Sequence, residues 1–198
     1  RQAIVEGEAL AIMLDYQLQD QGLSFTDFGD LPGWIEALLN TIKASQPHGS
    51  STPTFLEELI LFPYLAGTTF LQAVRRRHPW SELAMLYKDP PRSTEQILHP
   101  NKYLITPDEP TPVTLPELRY ALDPSWSKID EDTLGELTIK LLVRRYLDER
   151  TAIGAAEGGD GDSYQLYEEI GTNQRLLVWL TVWDSITEAK EFLEASRQ

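Results

Sequence analysis

Hydrophobic residues recur at helical spacing through most of the chain, and the pattern begins in the first twenty residues. From Ala3 to about Gln19, apolar side chains follow one another at intervals of three and four, which is typical of an amphipathic helix. The positions three, four, seven and eight residues after Glu6 are all apolar: Ala9, Leu10, Met13 and Leu14. The sequence therefore predicts a first helix with Glu6 on its apolar face.

The same spacing, punctuated by capping residues, predicts further helices. They cover about residues 31–45, 54–77, 80–87, 93–99, 133–148, 151–156 and 184–196. Three of them start with a capping-box pattern, Ser or Thr followed three residues later by Glu or Gln: Thr54–Glu57, Ser93–Gln96 and Thr133–Glu136. Pro63 lies inside the longest helix and predicts a bend or an interruption there.

A different pattern in the second half of the chain predicts β-structure. Aromatic and β-branched residues at 164–168 and 175–183 indicate two strands joined by a short turn near Gly171. Residues 104–116 contain four prolines, which predicts an extended segment with at most one edge strand at about 113–115. We therefore expect an α+β fold, predominantly helical, with a small antiparallel hairpin and a closing helix.

The proline-rich segment also predicts how the chain is organised. Residues 1–103 are expected to form a helical subdomain and residues 117–198 an α+β subdomain, with residues 104–116 as the extended segment that divides them. The length of 198 residues and the 41% of apolar residues are sufficient for a hydrophobic core.

Charge and composition exclude several classes of function. The formal net charge is −14, which opposes binding to phosphate backbones, so we expect no nucleic-acid partner. The absence of cysteine excludes disulfides, thiolate zinc sites and cysteine nucleophiles. No run of about twenty apolar residues is present, so no integral membrane segment is expected. We therefore expect a soluble protein, and this expectation is compatible with a secreted or periplasmic location after processing.

The first residues suggest a cut end. Arg1 and Gln2 run directly into the predicted helix, with no initiator Met and no capping residue. We interpret this start as the product of processing or truncation, and we expect a partner for Glu6 to lie upstream.

Glu6 is the carboxylate that the local sequence does not explain. Burying an ionised carboxylate on an apolar helix face lowers the stability of the fold by roughly several kcal/mol unless the carboxylate is paired, hydrogen-bonded or bound to a metal. A buried arginine partner and a metal ion are equally good explanations at this stage. Either would make Glu6 the centre of the predicted site.

The histidines give no local metal motif. His48, His78 and His99 are too far apart in sequence for an HExxH pattern, and each is expected to be a surface or loop side chain. His99 is the most informative of the three, because Glu95, His99 and Tyr103 recur at helical spacing between proline stops.

Two charged clusters have simple structural explanations. The basic run 75–78 comes where a helix ends, which favours helix capping over an anion site. Asp160 and Asp162 lack the remaining positions of a calcium loop, which favours a glycine-rich turn before a strand.

Several runs resemble a known family. These runs are VEGEA at 5–9, FPYLAG at 62–67, PPRSTEQILHP at 90–100, DTLGE at 132–136 and VWD at 182–184. Through them the chain resembles, over nearly its whole length, the C-terminal portion of a largely uncharacterised group of bacterial zinc-metallopeptidase-like proteins, which are glutamate-type zincins.

The resemblance implies a zinc site to which this chain contributes one ligand. In that family an HExxH helix lies upstream and supplies two histidines and a general base, and Glu6 would be the third zinc ligand. The resemblance implies a peptide or protein substrate for the intact protein, and His99 or Tyr103 would form the site wall or stabilise an oxyanion. Since this chain lacks HExxH, we expect no bound zinc and no activity from it alone.

A second interpretation is a binding protein. The same fold without the metal helix would serve as a non-catalytic scaffold or protein-binding module. An HExxH motif upstream in the gene favours the first interpretation, and a natural start at Arg1 favours the second.

Overall fold

The computed structural model describes residues 1–29, 31–44, 53–118 and 121–198. It divides into two compact units: residues 1–92 with 96–108 form unit 1, and residues 93–95 with 109–198 form unit 2. The main division falls inside the segment 104–116 that the sequence marks as extended. The fold class predicted from the sequence is confirmed, since the described residues are mostly helical and include one small antiparallel sheet.

Unit 1 is helical in its described residues. Its helices are α1 (Gln2–Leu18), α2 (Leu31–Ala44), α3 (Thr54–Arg75), α4 (Met85–Lys88), α5 (Thr94–Leu98, whose first two residues belong to unit 2) and α6 (Asn101–Leu104). Single 3-10 turns occur at Gln19–Gln21, Phe25–Asp27 and Trp80–Glu82. α3 continues through Pro63, so the helix is not interrupted there.

The core of unit 1 forms where α1 packs on α3. The buried residues of α1 are Ala3, Ile4, Gly7, Ala11 and Leu14. Phe70, Leu71 and Val74 of α3 are fully buried in the same core. Burial of these apolar side chains is the main force that holds the two helices together.

The apolar face predicted around Glu6 is partly wrong. Ala9 and Met13 are exposed, and the buried stripe of α1 runs through Gly7 beside Glu6. Small residues let the two helix backbones approach closely, so Gly7 rather than a larger side chain faces α3. Glu6 therefore lies half-buried at the margin of the helix contact.

Unit 2 combines a sheet with three helices. The strands β1 (Trp126–Asp132), β2 (Gly161–Glu169) and β3 (Arg175–Val182) form an antiparallel sheet in the order β1-β2-β3. The helices are α7 (Gly135–Arg144), α8 (Glu149–Ala156) and α9 (Ile186–Ala195). Their core contains Ile139, Val143, Ala152, Ala155, Ala156 and Ala195, with the rings of Trp179, Trp183 and Phe192 packed against it.

Several local predictions need correction. The hairpin is present, but β1 was missed, and residues 113–115 form no strand. The boxes at Thr54 and Thr133 do not cap their helices, because Pro53 and Leu134 are the N-cap residues and neither helix receives a side-chain cap bond from them. Asp30, which precedes the predicted helix at 31–45 and has a residue type typical of an N-cap, lies outside the described residues. Within the described part of the chain, no helix is long and apolar enough to cross a membrane.

Candidate functional site

The contact between α1 and α3 positions the residues that the sequence singles out. A Cβ atom on Gly7 would lie 2.3 Å from the carbonyl carbon of Gly67, and one on Gly67 would lie 2.1 Å from the carbonyl oxygen of Ala3. Both distances are impossible for a real side chain, so only glycine allows this approach. The VEGEA and FPYLAG runs therefore pack directly against each other.

Glu6 interacts with a tyrosine across this contact. Hydrogen bonding to Glu6, followed by the charge of Glu6, raises the pKa of Tyr64 on α3 above its usual value of 10.0. The partner of Glu6 is thus a neutral phenol, and no described Lys or Arg forms an ion pair with it. The arginine explanation is wrong within the described residues.

A second carboxylate on α1 has the same kind of partner. Tyr87 donates a short hydrogen bond from its hydroxyl to Glu8, and that bond raises the pKa of Tyr87 to about 12. Glu6 and Glu8 thus make two parallel carboxylate–phenol pairs on one helix. This provides a matched comparison for every experiment on Glu6.

His99 and Tyr103 both belong to unit 1 and are half-buried. The Tyr103 ring packs on Phe70 with 5.5 Å between centroids, and its hydroxyl donates to the carbonyl of Asp89 at 2.5 Å. That bond occupies the proton that an oxyanion role for Tyr103 would use. The roles of His99 and Tyr103 in the site wall both stay predictions.

The structure gives no support for a metal-binding role of the other two histidines, His78 and His48. His78 forms an i,i+4 pair with Glu82, with 3.0 Å between Nδ1 and the carboxylate oxygen. His48 lies outside the described residues. Among the described residues of unit 1, no three carboxylate or imidazole groups that include Glu6 lie close enough to share an ion. A glutamate carboxylate is a suitable zinc ligand, but the described residues of unit 1 do not supply the other ligands that a zinc site needs.

The basic run is used to bind backbone carbonyls. Arg76 donates to the carbonyls of Thr26 and Phe28 at 2.8 to 3.1 Å, and Arg75 donates to the carbonyl of His78. The Arg75 guanidinium also lies over the Trp80 ring, 4.6 Å from its centroid. Arg75 lies in the last turn of α3 and Arg76 is its C-cap residue, so the basic run lies at the helix end as predicted, and its arginines also hold neighbouring loops in place.

An open groove lies beside Asp15 in unit 1. Its volume is about 600 Å³, and it is lined by Ile12, Asp15, Tyr16, Gln19, Leu23, Ser24 and Trp80. One Asp15 oxygen accepts from the Ser24 hydroxyl at 2.7 Å and the Phe25 amide at 2.9 Å, and the other accepts from the Trp80 indole at 3.1 Å. Because its oxygens already have donors, Asp15 shapes the groove and fixes its walls.

A buried carboxylate, which the sequence analysis placed only in a glycine-rich turn, organises unit 2. Asp162 on β2 accepts hydrogen bonds from the amides of Leu134 and Gly135 at 2.8 Å and from the indole of Trp179 at 2.9 Å. It therefore caps α7 from 27 residues away in sequence. The strand predicted at 164–168 did not include Asp162, so no local pattern indicated that its carboxylate would be buried.

Asp160 is also occupied by protein donors. Its carboxylate accepts from the amide and the hydroxyl of Thr111, at 3.1 and 2.5 Å. Since Asp160 and Asp162 each bind other parts of unit 2, the turn interpretation of this loop describes it better than a calcium loop.

Comparison with known proteins adds one partial match. Residues 122–198 match the family described as a domain of unknown function, DUF8575. This range covers all three strands and helices α7 to α9, which is less than half of the chain. No curated protein and no solved structure matches the chain.

Proposed function

We propose that this chain is the C-terminal part of a zinc-metallopeptidase-like protein in which Glu6 is one zinc ligand. The observation that supports the proposal is the environment of Glu6: its carboxylate is half-buried on a helix, is held by the Tyr64 hydroxyl and has no ion-pair partner in the described residues. Ligating carboxylates are commonly oriented by such a hydrogen bond, which leaves the second oxygen for the metal.

The role of each residue follows from this arrangement. Glu6 would hold the metal together with the two histidines of an upstream HExxH helix, and Tyr64 would orient the Glu6 carboxylate. When bound, zinc supplies Lewis acidity and an activated water. The chain by itself would be inactive, because one carboxylate gives little affinity for a metal that takes three protein ligands.

The test compares this chain with a version extended at its N-terminus to include the HExxH segment. We expect weak zinc binding and no peptide cleavage from the chain alone, measured by calorimetry and with a mixed peptide library. The extended protein should bind one zinc tightly and cleave peptides. Glu6→Gln should abolish both properties, and Tyr64→Phe should lower zinc affinity about 10- to 100-fold.

Glu8→Gln is the matched control, because it changes the other carboxylate–phenol pair of the same helix. It should leave zinc affinity unchanged. Equal zinc affinity in the extended wild type and Glu6→Gln would overturn the proposal, as would the lack of any HExxH upstream in the gene.

The second candidate is a non-catalytic binding module, and the groove beside Asp15 favours it. Its size lies within the range of ligand sites, about 300–1,000 Å³. Binding of a peptide or small molecule that is lost in Tyr16→Ala but unaffected by Glu6→Gln would support this function over the first.

A further inference from the structure

The two edges of the sheet in unit 2 differ in how they are protected. β1 carries four charged residues along its length, Lys128, Asp130, Glu131 and Asp132, and a bulge between Lys128 and Asp130. Charges and bulges are the usual devices that keep an edge strand from pairing with another chain. β3, the opposite edge, has the sequence RLLVWLTV, with a single charge at its first residue and a regular register along its whole length.

Among the described residues, no backbone group pairs with the outer side of β3. In an antiparallel ladder, the residues that bond to a given neighbour alternate. The amide of Glu169 donates to the carbonyl of Gln174, and that of Asp160 donates to the carbonyl of Val182, so the even-numbered residues of β3 bond to β2. The N–H and C=O groups that point outward belong to Arg175, Leu177, Trp179 and Thr181. No described residue forms a backbone hydrogen bond with any of these four.

The side chains of this edge are also accessible. Leu177 is 54% exposed and Leu180 is 46% exposed. A row of unpaired backbone groups flanked by exposed leucines is a template for another strand, because pairing satisfies the donors and acceptors and buries apolar surface at once.

We propose that β3 pairs antiparallel with β3 of a second copy of this chain, so that two three-stranded sheets join into one of six strands across a two-fold axis. The charges at the strand ends favour this occupant. Arg175 is the first residue of β3 and forms an exposed ion pair of 3.4 Å with Glu168 of its own chain, and Asp184 lies two residues past the end of the strand. A two-fold axis places the start of each strand beside the end of the other, and so brings each arginine near the partner's aspartate. The strand has no internal charge that would repel its copy, although the whole chain carries −14.

The experiment measures molar mass in solution by light scattering and sedimentation, from micromolar to millimolar protein. The wild type should approach about 45 kDa, twice its 22.5 kDa, as concentration rises. Leu177→Lys places a charge on the edge, and Leu177→Pro removes an outward N–H without touching the ladder to β2. Both should stay monomeric with an unchanged circular dichroism spectrum.

Ile129→Lys is the matched control. It makes the same change of charge at a similarly exposed residue, 47% exposed, on the protected edge β1. This variant should dimerise like the wild type. If it also becomes monomeric, general charge repulsion explains the result and the proposal fails.

Hydrogen exchange locates the interface independently of mass. In the dimer the amides of Leu177, Trp179 and Thr181 should exchange slowly, and in Leu177→Lys they should exchange rapidly. A wild type that remains monomeric at millimolar concentration overturns the proposal. A dimer in which these three amides still exchange rapidly overturns it as well, because the chains then meet at another surface.

Discussion

Gly7 of α1 and Gly67 of α3 meet backbone to backbone, with room for no side chain on either residue. A Cβ atom on Gly7 would lie 2.3 Å from the Gly67 carbonyl carbon and 2.8 Å from the Thr68 amide nitrogen. The contact sets the separation of the two helices and, with it, the position of Glu6 relative to Tyr64. It is the structural basis of the candidate site.

The first prediction is that Gly7→Ala destabilises the protein, which is the opposite of the usual effect of replacing a glycine in a helix with alanine. Gly→Ala inside a helix normally stabilises by up to about 1 kcal/mol. At Gly7 the methyl group would collide with backbone, so Gly7→Ala should destabilise unit 1 by about 1–3 kcal/mol, the usual cost of overpacking. Urea denaturation followed by circular dichroism measures the change.

Gly154 of α8 is the control for this substitution. Nothing lies within 4 Å of a Cβ atom built there. Gly154→Ala should therefore raise stability by about 0.5–1 kcal/mol. Stabilisation by Gly7→Ala as well would show that the two helices separate easily and that the contact does not position Glu6.

The second prediction concerns the tyrosine titration. The hydrogen bond to Glu8 holds the pKa of Tyr87 at about 12, and a hydrogen bond to Asp130 does the same for Tyr164. A spectrophotometric titration should show two phenols ionising near pH 12. Glu8→Gln should return one of them toward 10, and Asp130→Asn the other, with each variant leaving the second phenol unchanged.

The raised pKa values of these tyrosines make the stability of the protein depend on pH above 10. A phenol whose folded pKa lies above its unfolded value of 10.0 contributes stability that is complete below pH 10 and is lost as the pH rises through about 12. Alkaline unfolding of the wild type should therefore be steeper than that of Glu8→Gln. Identical alkaline unfolding curves would contradict the Tyr87–Glu8 bond.

The third prediction tests the remote cap of α7. Asp162→Ala would leave two helix amides and one indole N–H without their acceptor in a buried place. We expect a loss of about 3 kcal/mol or more, since hydrogen bonds to charged groups contribute about 1.5–3 kcal/mol each. Thermal unfolding monitored by tryptophan fluorescence reports the loss, because Trp179 is one of the donors.

Asp160→Ala is the control for that experiment. It removes a carboxylate two residues away that bonds only to exposed groups of Thr111. Its effect should be smaller than that of Asp162→Ala. Equal effects would mean that the loop, and not the cap of α7, is what Asp162 supports.

The fourth prediction is a loss of stability in acid at the start of α8. Hydrogen bonds from the Thr151 hydroxyl and amide lower the pKa of Asp148, the N-cap residue, below 3.8. The stability from this cap is present above pH 3.8 and is lost as the pH falls below it. Asp148→Ala should lower the melting temperature at pH 7, and Asp148→Ser should keep the cap and remove its acid sensitivity. Equal acid sensitivity in Asp148→Ser and the wild type would contradict this origin.

The sequence predicted the elements whose signals are local. The periodicity of α1 and the aromatic and β-branched content of β2 and β3 placed these elements within a few residues of their observed ends. The helix predicted at 184–196 is present as α9, and Ser185 caps it by accepting a bond from the Glu188 amide. Each of these signals is contained in a few neighbouring residues, so no tertiary contact is needed to interpret it.

The missed features depend on contacts between distant residues. β1 has the sequence WSKIDED, whose charged residues argue against a strand until β2 provides a partner. The capping box at Thr133 predicted a helix that is present, but the cap of that helix, α7, comes from Asp162 and not from Thr133. The Glu6–Tyr64 bond joins residues 58 apart in sequence, and the helix face around Glu6 was set by Gly67, which no local pattern could show.

The remote cap of α7 has a consequence for how the protein is made. A ribosome releases residues 135–144 before Asp162, so the amides of Leu134 and Gly135 have no side-chain acceptor until β2 has been synthesised, although Thr94 already precedes the helix and accepts from the Leu137 amide. The start of α7 is therefore completed only when β2 packs against it. Ribosome-bound chains in which residue 162 has not left the exit tunnel should leave α7 more accessible to proteases than chains in which that residue has emerged.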